Sequence, residues 1–136
     1  MYLSVPFEVD TASIALRCWQ EGKTVVVPKV SWDQRRMLPV EITSLQTGLT
    51  TTGPGVREPI AGNPIPTDLI DLVIVPGLVF DHLNNRLGRG LGFYDRFLKK
   101  LPVTTPTIGL AFDFQLIDRL PPPEKHDVPV SKVITN

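Results

Sequence analysis

Three apolar runs stand out along the chain, at residues 24–28 (TVVVP), 72–76 (LVIVP) and 107–112 (TIGLAF). They are nearly unbroken and rich in β-branched residues, whereas a strand with one solvated face alternates apolar and polar positions. Unbroken runs indicate strands buried on both faces, which is typical of a parallel sheet covered by helices. We therefore expect residues 25–27, 73–75 and 108–111 to form neighbouring buried parallel strands.

Helical patterns alternate with these runs. Residues 13–21 place apolar side chains on one face, with Gly22 positioned to end the helix. Residues 93–100 pair aromatic and aliphatic side chains at i and i+4. Residues 115–120 predict a short helix that stops at a run of three prolines. Alternating strands and helices predict an α/β fold with three layers and a mostly parallel sheet, of the Rossmann-like kind.

Two further segments carry expectations. Residues 2–5 (YLSV) predict a strand that ends at Pro6, and we expect its apolar face to be left uncovered. Residues 44–68 form a long stretch rich in turn residues, including TTGPG at 51–55. Long loops without secondary structure are uncommon and often functional, but the composition of this stretch favours a variable surface insertion.

The composition limits the class of protein. A chain of 136 residues, 42% hydrophobic and 21% charged, predicts one folded domain spanning residues 1–136. Its net charge is zero, so the chain has no surplus of positive charge with which to bind a nucleic acid. No apolar run approaches the length needed to cross a bilayer. The single cysteine, Cys18, excludes an internal disulfide and a multi-cysteine zinc site. A reduced, cytoplasmic setting is expected.

The chemistry is concentrated in residues 86–96 (RLGRGLGFYDR). Glycines at 88, 90 and 92 permit close backbone approach and positive φ, and they lead into the predicted helix. Arg86, Arg89 and Arg96 flank them with guanidinium groups that match phosphate oxygens. This pattern predicts a phosphate site.

The spacing is neither that of a Walker A loop nor that of the dinucleotide fingerprint. An acid beside bound phosphate needs a cation between the two charges, so Asp95 suggests a Mg²⁺ bridge. The alternative is a glycine-rich turn whose arginines pair with surface carboxylates, and the residues alone leave both interpretations open.

These residues resemble the signature of the 5-formyltetrahydrofolate cyclo-ligase family. The resemblance rests on the order and spacing of VPGLVFD at 75–81 and RLGRGLGFYDR at 86–96. It continues through EVDT at 8–11, GKTVVVPK at 22–29, Glu58-Pro59 and HDVPV at 126–130, and so covers essentially the whole chain. Leu91 and Phe93 depart from the commonest family residues. The resemblance implies a Rossmann-like domain related to NagB, RpiA and CoA transferases.

It also implies a ligase that converts 5-formyltetrahydrofolate to 5,10-methenyltetrahydrofolate with ATP as co-substrate and Mg²⁺ as cofactor. In the family's scheme the formyl oxygen takes the γ-phosphoryl group, N10 attacks the activated carbon, and phosphate leaves. The catalytic residues would be Arg89 and Tyr94, and the metal ligands Asp95 and Asp127. The implied nucleotide site comprises Arg86, Leu87, Gly88, Arg89, Gly90, Leu91, Gly92, Phe93 and Tyr94. The implied folate contacts are Leu3, Glu8, Arg89, Gly90, Leu91, Gly92 and Phe93.

Family members carry a basic segment ahead of the region that resembles residues 2–5, and this chain has no counterpart of it. We therefore expect an N-terminally truncated cyclo-ligase domain, monomeric if complete. A non-catalytic paralogue that binds folate or nucleotide is the alternative. An unrelated phosphate-binding module fits less well, because the resemblance extends beyond the glycine segment.

Overall fold

The computed structural model describes residues 1–53 and 55–136. They form two compact units, Met1–Pro66 and Thr67–Asn136. The expectation of a single truncated domain stays a prediction.

In its described residues, the first unit is built from one helix and two hairpins. Helix α1 spans Ala12–Gln20, and strands β1 (Val25–Ser31) and β2 (Arg36–Ile42) pair antiparallel. Ala15 on α1 is fully buried, because its small side chain lets the helix approach the apolar face of β1 closely. The core of this unit consists of Leu3, Ala15, Val25, Val27 and Ile42.

The expectation that residues 25–27 lie in a parallel sheet is wrong. A connection of only residues 32–35 separates β1 from β2, and so short a link joins antiparallel strands, since parallel neighbours need a long crossover. The strand also continues past Pro28, which faces Pro39 in the register. Proline is tolerated where its missing N–H points away from the partner strand.

No strand forms at residues 2–5, so the expectation of a strand there is wrong. The carbonyl of Tyr2 accepts a 2.7 Å hydrogen bond from the Thr11 hydroxyl, and the backbone N–H of Val5 donates to the Glu8 carboxylate at 2.9 Å. Side chains therefore satisfy backbone groups that a strand ladder would have paired. Tyr2 and Leu3 are only 4% and 8% exposed, so the uncovered apolar face expected here is absent at these two residues.

The segment predicted as a long loop contains a hairpin of β3 (Leu49–Thr52) and β4 (Val56–Pro59). Its threonines are β-branched and favour a strand. The turn residues on either side of them made the sequence pattern look like that of a loop. Pro54, in the predicted turn, lies outside the described residues. The buried carboxylate of Glu58 accepts a 3.0 Å hydrogen bond from the backbone of Val30, which fixes the hairpin to β1.

The second unit contains the parallel sheet. Strands β5 (Val73–Val75), β8 (Thr107–Ala111) and β10 (Lys132–Thr135) pair parallel in the order β10-β8-β5. The expectation that residues 73–75 and 108–111 are parallel neighbours is confirmed. Residues 73–75 are buried throughout as expected, whereas Ile108 and Leu110 are half-buried. Helix α2 (Phe93–Leu98) lies between β5 and β8 in the chain, as a crossover connection requires. The α/β class predicted from the sequence is confirmed.

A smaller sheet supports the glycine-rich segment. Strand β6 (Val79–Asp81) pairs antiparallel with β7 (Arg86–Leu87) and parallel with β9 (Leu116–Ile117). The ring of Phe80 in β6 is fully buried. A Cβ at Gly109 would lie 2.5 Å from this ring and one at Gly77 would lie 2.7 Å from it, so both positions need glycine to admit the aromatic side chain.

The short helix expected at residues 115–120 is wrong. The chain instead makes a single 3-10 turn, Asp113–Gln115, and then enters β9. The Gln115 side chain accepts from the backbone of Phe112 at 2.8 Å and donates to the carbonyl of Leu78 at 3.1 Å. A six-residue helix is marginal in isolation, so pairing with β6 prevails.

Candidate functional site

The glycine-rich segment forms an outward-facing loop between β7 and α2. Gly90 and Gly92 have φ of 91° and 69°, in the left-handed region that side chains disfavour. Leu91 between them is 59% exposed, and Arg89 is exposed as well. The loop therefore presents its backbone and Arg89 to solvent, and α2 begins at Phe93 as the sequence predicted.

Arg86 anchors the base of this loop. Its side chain is 5% exposed and donates from Nη2 to Asp95 Oδ1 at 3.2 Å and from Nη1 to the Pro76 carbonyl at 3.3 Å. Its guanidinium also lies over the ring of Tyr94, 5.6 Å from the centroid. Within the described residues, the buried Nε of Arg86 has no hydrogen-bond partner. A buried donor without a partner is costly, which makes this atom a candidate ligand contact.

Arg96 braces the other end of the loop. Its Nη2 donates to the carbonyl of Leu91 at 2.9 Å, and its guanidinium lies 5.2 Å from the centroid of the Phe93 ring. The first contact joins α2 back to the loop, and the second lies within α2. Arg96 therefore supports the glycine loop through a hydrogen bond to the loop backbone and through its contact with the Phe93 ring.

The structure brings together the two segments that carry the predicted metal ligands. The backbone N–H of Val128 donates to Asp95 Oδ1 at 3.1 Å, although the two residues are 33 positions apart. Asp127 accepts the backbone N–H of Glu124 on Oδ2 at 2.8 Å. These bonds use one oxygen of each carboxylate, and the other oxygen of Asp127, Oδ1, lies 3.5 Å from Nε2 of His126.

Oxygen donors of this kind suit Mg²⁺, which typically binds one or two carboxylates and completes its shell with water and substrate phosphates. The donor set therefore fits the ion. Within the described part of the chain, no group of three or more His, Cys, Asp or Glu side chains is arranged to hold a metal. The assignment of Asp95 and Asp127 as ligands stays a prediction.

Sequence reasoning gave no role to Asp81, which organises the surroundings of the loop. Its fully buried carboxylate accepts from the backbone of Leu83 and Asn85 on Oδ1, and from the Asn85 amide and the Leu120 backbone on Oδ2, at 2.9–3.1 Å. Burial opposes the charge, but these hydrogen bonds outweigh it and hold the pKa of Asp81 below its usual value. The Asp-x-x-Asn-Asn pattern of an Asx turn was the available sequence signal.

Two cavities adjoin this arrangement. One of about 180 Å³ is bordered by Arg86 and Asp127. The other, of about 320 Å³, is lined by Leu83, Asn85, Arg119, Leu120, Pro122 and Pro123. Asn85, Leu120, Pro122 and Pro123 line both cavities, which therefore lie side by side.

The predicted folate contacts Leu3 and Glu8 lie in the first unit. Leu3 packs in the core with Ala15 and Val25, and Glu8 closes a tight turn onto Val5. The turn is braced by the Tyr2 hydroxyl, which donates to the carbonyl of Val9 at 2.8 Å. Whether these residues contact folate stays a prediction.

No helix among the described residues has the length and apolar character needed to span a bilayer.

Solved structures of similar proteins agree with this architecture. The NMR structure of Aquifex aeolicus 5,10-methenyltetrahydrofolate synthetase superposes with a TM-score of 0.79 at 31% identity, covering 97% of this chain and 64% of that one. The Mycoplasma pneumoniae 5,10-methenyltetrahydrofolate synthetase gives a TM-score of 0.75 at 25% identity, covering 98% of this chain and 70% of that one. The chain thus spans less than two thirds of the Aquifex chain.

Sequence comparison gives the same result. The mouse protein named 5-formyltetrahydrofolate cyclo-ligase is 33% identical over 98% of this chain and 70% of its own length. The Escherichia coli K12 protein of the same name is 32% identical over 99% of this chain and 75% of its own length. The profile of the 5-formyltetrahydrofolate cyclo-ligase family matches residues 1–136, and because relatives more than 30% identical align across nearly the whole chain, the chain belongs to that family.

Proposed function

We propose that this chain carries the ATP- and Mg²⁺-dependent conversion of 5-formyltetrahydrofolate to 5,10-methenyltetrahydrofolate, with release of ADP and phosphate. The observation that carries the proposal is the convergence of Arg86, Asp95 and the backbone of Val128 at the base of an exposed glycine loop. It supports a phosphate site beside two carboxylates, on a chain whose relatives are named for this reaction.

In the proposed reaction the formyl oxygen attacks the γ-phosphorus of ATP and ADP leaves. N10 of the folate then attacks the activated carbon, the bond from carbon to the phosphorylated oxygen breaks, and phosphate departs. Positioning and charge neutralisation are most of what phosphoryl transfer requires. The exposed Arg89 would bind the transferring phosphoryl group through its guanidinium fork, while the buried Arg86 would hold the loop and offer Nε.

Asp95 and Asp127 would hold the Mg²⁺, which supplies positive charge against the ATP phosphates when bound. The salt bridge from Arg86 orients the Asp95 carboxylate for this role. Glu8 and Leu3 are proposed as folate contacts, and Tyr94 as a catalytic residue beside Arg86. We also propose that the chain is a monomer and acts in the cytoplasm, a reducing setting that suits a chain with a single cysteine.

The direct test is formation of methenyltetrahydrofolate by the purified chain, followed by product absorbance. We expect product only when 5-formyltetrahydrofolate, ATP and Mg²⁺ are all present, and none after chelation of the metal with EDTA. If both ligands bind but no product forms, the chain is a non-catalytic folate- and nucleotide-binding protein. If neither ligand binds, the proposal fails.

Arg89→Lys tests the phosphoryl contact in the same assay. Lysine keeps the charge but cannot make two-point contact, so we expect kcat/KM for ATP to fall by about one to two orders of magnitude, roughly 1.4–2.8 kcal/mol. Arg17→Lys is the matched control, because Arg17 lies on α1 and pairs with Glu21 at the surface. Full activity of Arg89→Lys would show that Arg89 does not make this phosphoryl contact. Unfolding of the variant would show that the role of Arg89 is structural.

A further inference from the structure

Arg96 is an exposed residue of α2 to which the proposed reaction gives no role. Two successive carbonyls of the glycine loop, residues 88–92, accept hydrogen bonds from it. The side-chain Nη2 donates to Leu91 at 2.9 Å, and the backbone N–H donates to Gly92 at 3.0 Å. The guanidinium also lies 5.2 Å from the centroid of the Phe93 ring, a cation–π contact that orients it. Arg96 therefore binds the loop where the loop enters α2.

The part of the loop that Arg96 contacts has little else to fix its conformation. Gly90 and Gly92 have positive φ and, without a Cβ, can adopt many other backbone conformations. Leu91 between them is 59% exposed, so its side chain contributes little packing. Within the described part of the chain, the Leu91 backbone makes no hydrogen bond besides the one from Arg96. The order of this peptide therefore depends largely on Arg96.

The hydrogen bond from Arg96 also sets the direction of a backbone donor. No peptide bond among the described residues is cis, so the N–H of Gly92 points to the side opposite to the Leu91 carbonyl. Holding the carbonyl against Arg96 therefore turns the Gly92 N–H away from Arg96. No described residue accepts a hydrogen bond from this N–H. A backbone N–H that is held in a fixed direction is a good donor to a phosphate oxygen.

A guanidinium lies against each end of the loop. A Cβ at Gly88 would lie 2.7 Å from Arg86 Nη1, and one at Gly92 would lie 3.1 Å from Arg96 Nη1. Arg89, the proposed phosphoryl contact, lies in the sequence between these two glycines. Arg86 and Arg96 therefore support the two ends of the segment that carries Arg89.

We propose that Arg96 is a positioning residue, which holds the Leu91–Gly92 peptide so that the Gly92 N–H points at a bound phosphate, without touching the phosphate itself. The inference rests on the proposed function, since it assumes that phosphates bind at the glycine loop. Direct contact of Arg96 with phosphate is the competing explanation, because a guanidinium matches phosphate oxygens. The two explanations differ in the ligand-free chain, where only a positioning residue keeps the loop ordered before phosphate binds.

Arg96→Met and Arg96→Lys, made in the full chain, separate these explanations. Arginine, methionine and lysine have similar helix propensities, so α2 should persist in both variants. Methionine has no donor for the Leu91 carbonyl. Lysine can donate to this carbonyl but lacks the planar fork of arginine, so it should restore the contact only in part. Lys99→Met is the matched control, because it removes a positive charge from an exposed position at the end of the same helix.

The first measurement is the NMR order parameter of the backbone amides of Gly90, Leu91 and Gly92 in the ligand-free chain. We expect about 0.85, typical of rigid backbone, in the unaltered chain and in Lys99→Met, and a fall below about 0.6 in Arg96→Met. Arg96→Lys should give intermediate values. Urea denaturation of each variant checks that the fold itself is retained.

The second measurement is the affinity for inorganic triphosphate with Mg²⁺, by isothermal titration calorimetry. We expect the affinity to fall about tenfold in Arg96→Met and about threefold in Arg96→Lys, and to stay within about twofold in Lys99→Met. The value of kcat/KM for ATP should fall by similar factors, because the same loop conformation serves binding and reaction.

The outcomes separate this inference from the proposed function. Weaker triphosphate binding by Arg96→Met with unchanged loop order overturns the positioning role and assigns Arg96 a direct phosphate contact. Unchanged affinity also overturns it, and unfolding of Arg96→Met would make Arg96 a residue of general stability instead. If the unaltered chain binds triphosphate but forms no methenyltetrahydrofolate, the proposed reaction fails and loop order and affinity still decide the role of Arg96. Absence of triphosphate binding by the unaltered chain overturns both proposals.

Discussion

Phe7 is the residue whose conformation fits its side chain least well. Its φ is 73°, in the left-handed region, and its ring is 94% exposed. Left-handed backbone costs a residue with a Cβ about 1–2 kcal/mol, and an exposed ring offsets little of that through burial. The turn that contains Phe7 is held by Glu8 and Val5, so the neighbours impose the conformation.

Phe7→Gly should therefore stabilise the protein. Relief of about 1–2 kcal/mol of strain exceeds the extra chain entropy of glycine, about 0.5–1 kcal/mol, which leaves a net gain of about 0.5–1 kcal/mol. Urea denaturation measures the change. Phe7→Ala is the control: it keeps the Cβ and hence the strain, so its stability should stay within about 0.5 kcal/mol of the parent. A loss of stability in both variants would mean that the ring contributes packing.

The elements of the second unit interlock around Phe80 of β6. Its ring occupies the space that side chains at Gly77 and Gly109 would otherwise take, and Gly109 lies in β8 at the centre of the parallel sheet. The contact ties the sheet that carries β7 to the parallel sheet within this unit. Glycine in a strand interior is normally a weakness, and here it is required by the close approach of the ring.

Gly109→Ala tests this interlocking. The new Cβ would lie 2.5 Å from a ring atom of the buried Phe80, so we expect a loss of about 1–3 kcal/mol in the free energy of unfolding. Phe80→Leu removes the clashing ring atoms, so the double variant should lose less than the sum of the two single losses. Additive losses, or a Gly109→Ala change below about 0.5 kcal/mol, would show that the ring moves aside freely.

For the whole molecule, we expect the buried carboxylate of Asp81 to contribute most to the loss of stability in acid. The pKa values of Asp81, Asp10 and Glu21 all lie below their usual ranges. Hydrogen bonds from Ala12 and Ser4 lower the pKa of Asp10, and the Arg17 side chain lowers that of Glu21. Those two carboxylates are exposed, where solvent and salt screen their interactions, whereas Asp81 is fully buried.

Because the folded pKa of Asp81 lies below the unfolded value of about 3.9, its contribution to stability is present above that pH and is lost as the pH falls through the folded pKa. In Asp81→Asn, the side-chain NH₂ group would face two of the four N–H groups that donate to the Asp81 carboxylate. We expect a loss of about 2–4 kcal/mol at neutral pH and a flatter decline of stability below about pH 4. Urea midpoints measured from pH 7 to pH 3 provide the comparison.

Asp10→Asn is the matched control, since Asp10 is exposed and asparagine retains an acceptor for the backbone of Ala12. Its stability should change by less than about 0.5 kcal/mol at neutral pH. An acid profile of Asp81→Asn identical to that of the parent would mean that other carboxylates set the decline.

The extent to which sequence predicted this protein differs between its parts. Alternating apolar runs and helical patterns predicted the α/β class and the parallel pairing of residues 73–75 with 108–111, because burial on both faces leaves a compositional mark. The run at residues 25–27 has the same composition but lies in a hairpin. The composition of a strand indicates whether it is buried, whereas the direction in which it pairs depends on the length of the segment that connects it to its partner.

The candidate site, too, was predicted only in part from the sequence. The sequence by itself determined which residues form the glycine loop and where α2 begins, because positive φ and helix initiation are local properties of glycine and its neighbours. Only the tertiary structure decided that Arg86 pairs with Asp95, that the backbone of Val128 joins the same carboxylate, and that Asp81 fixes Leu120. Such contacts join positions far apart in the chain, and no local preference encodes which distant partner a buried charge will find.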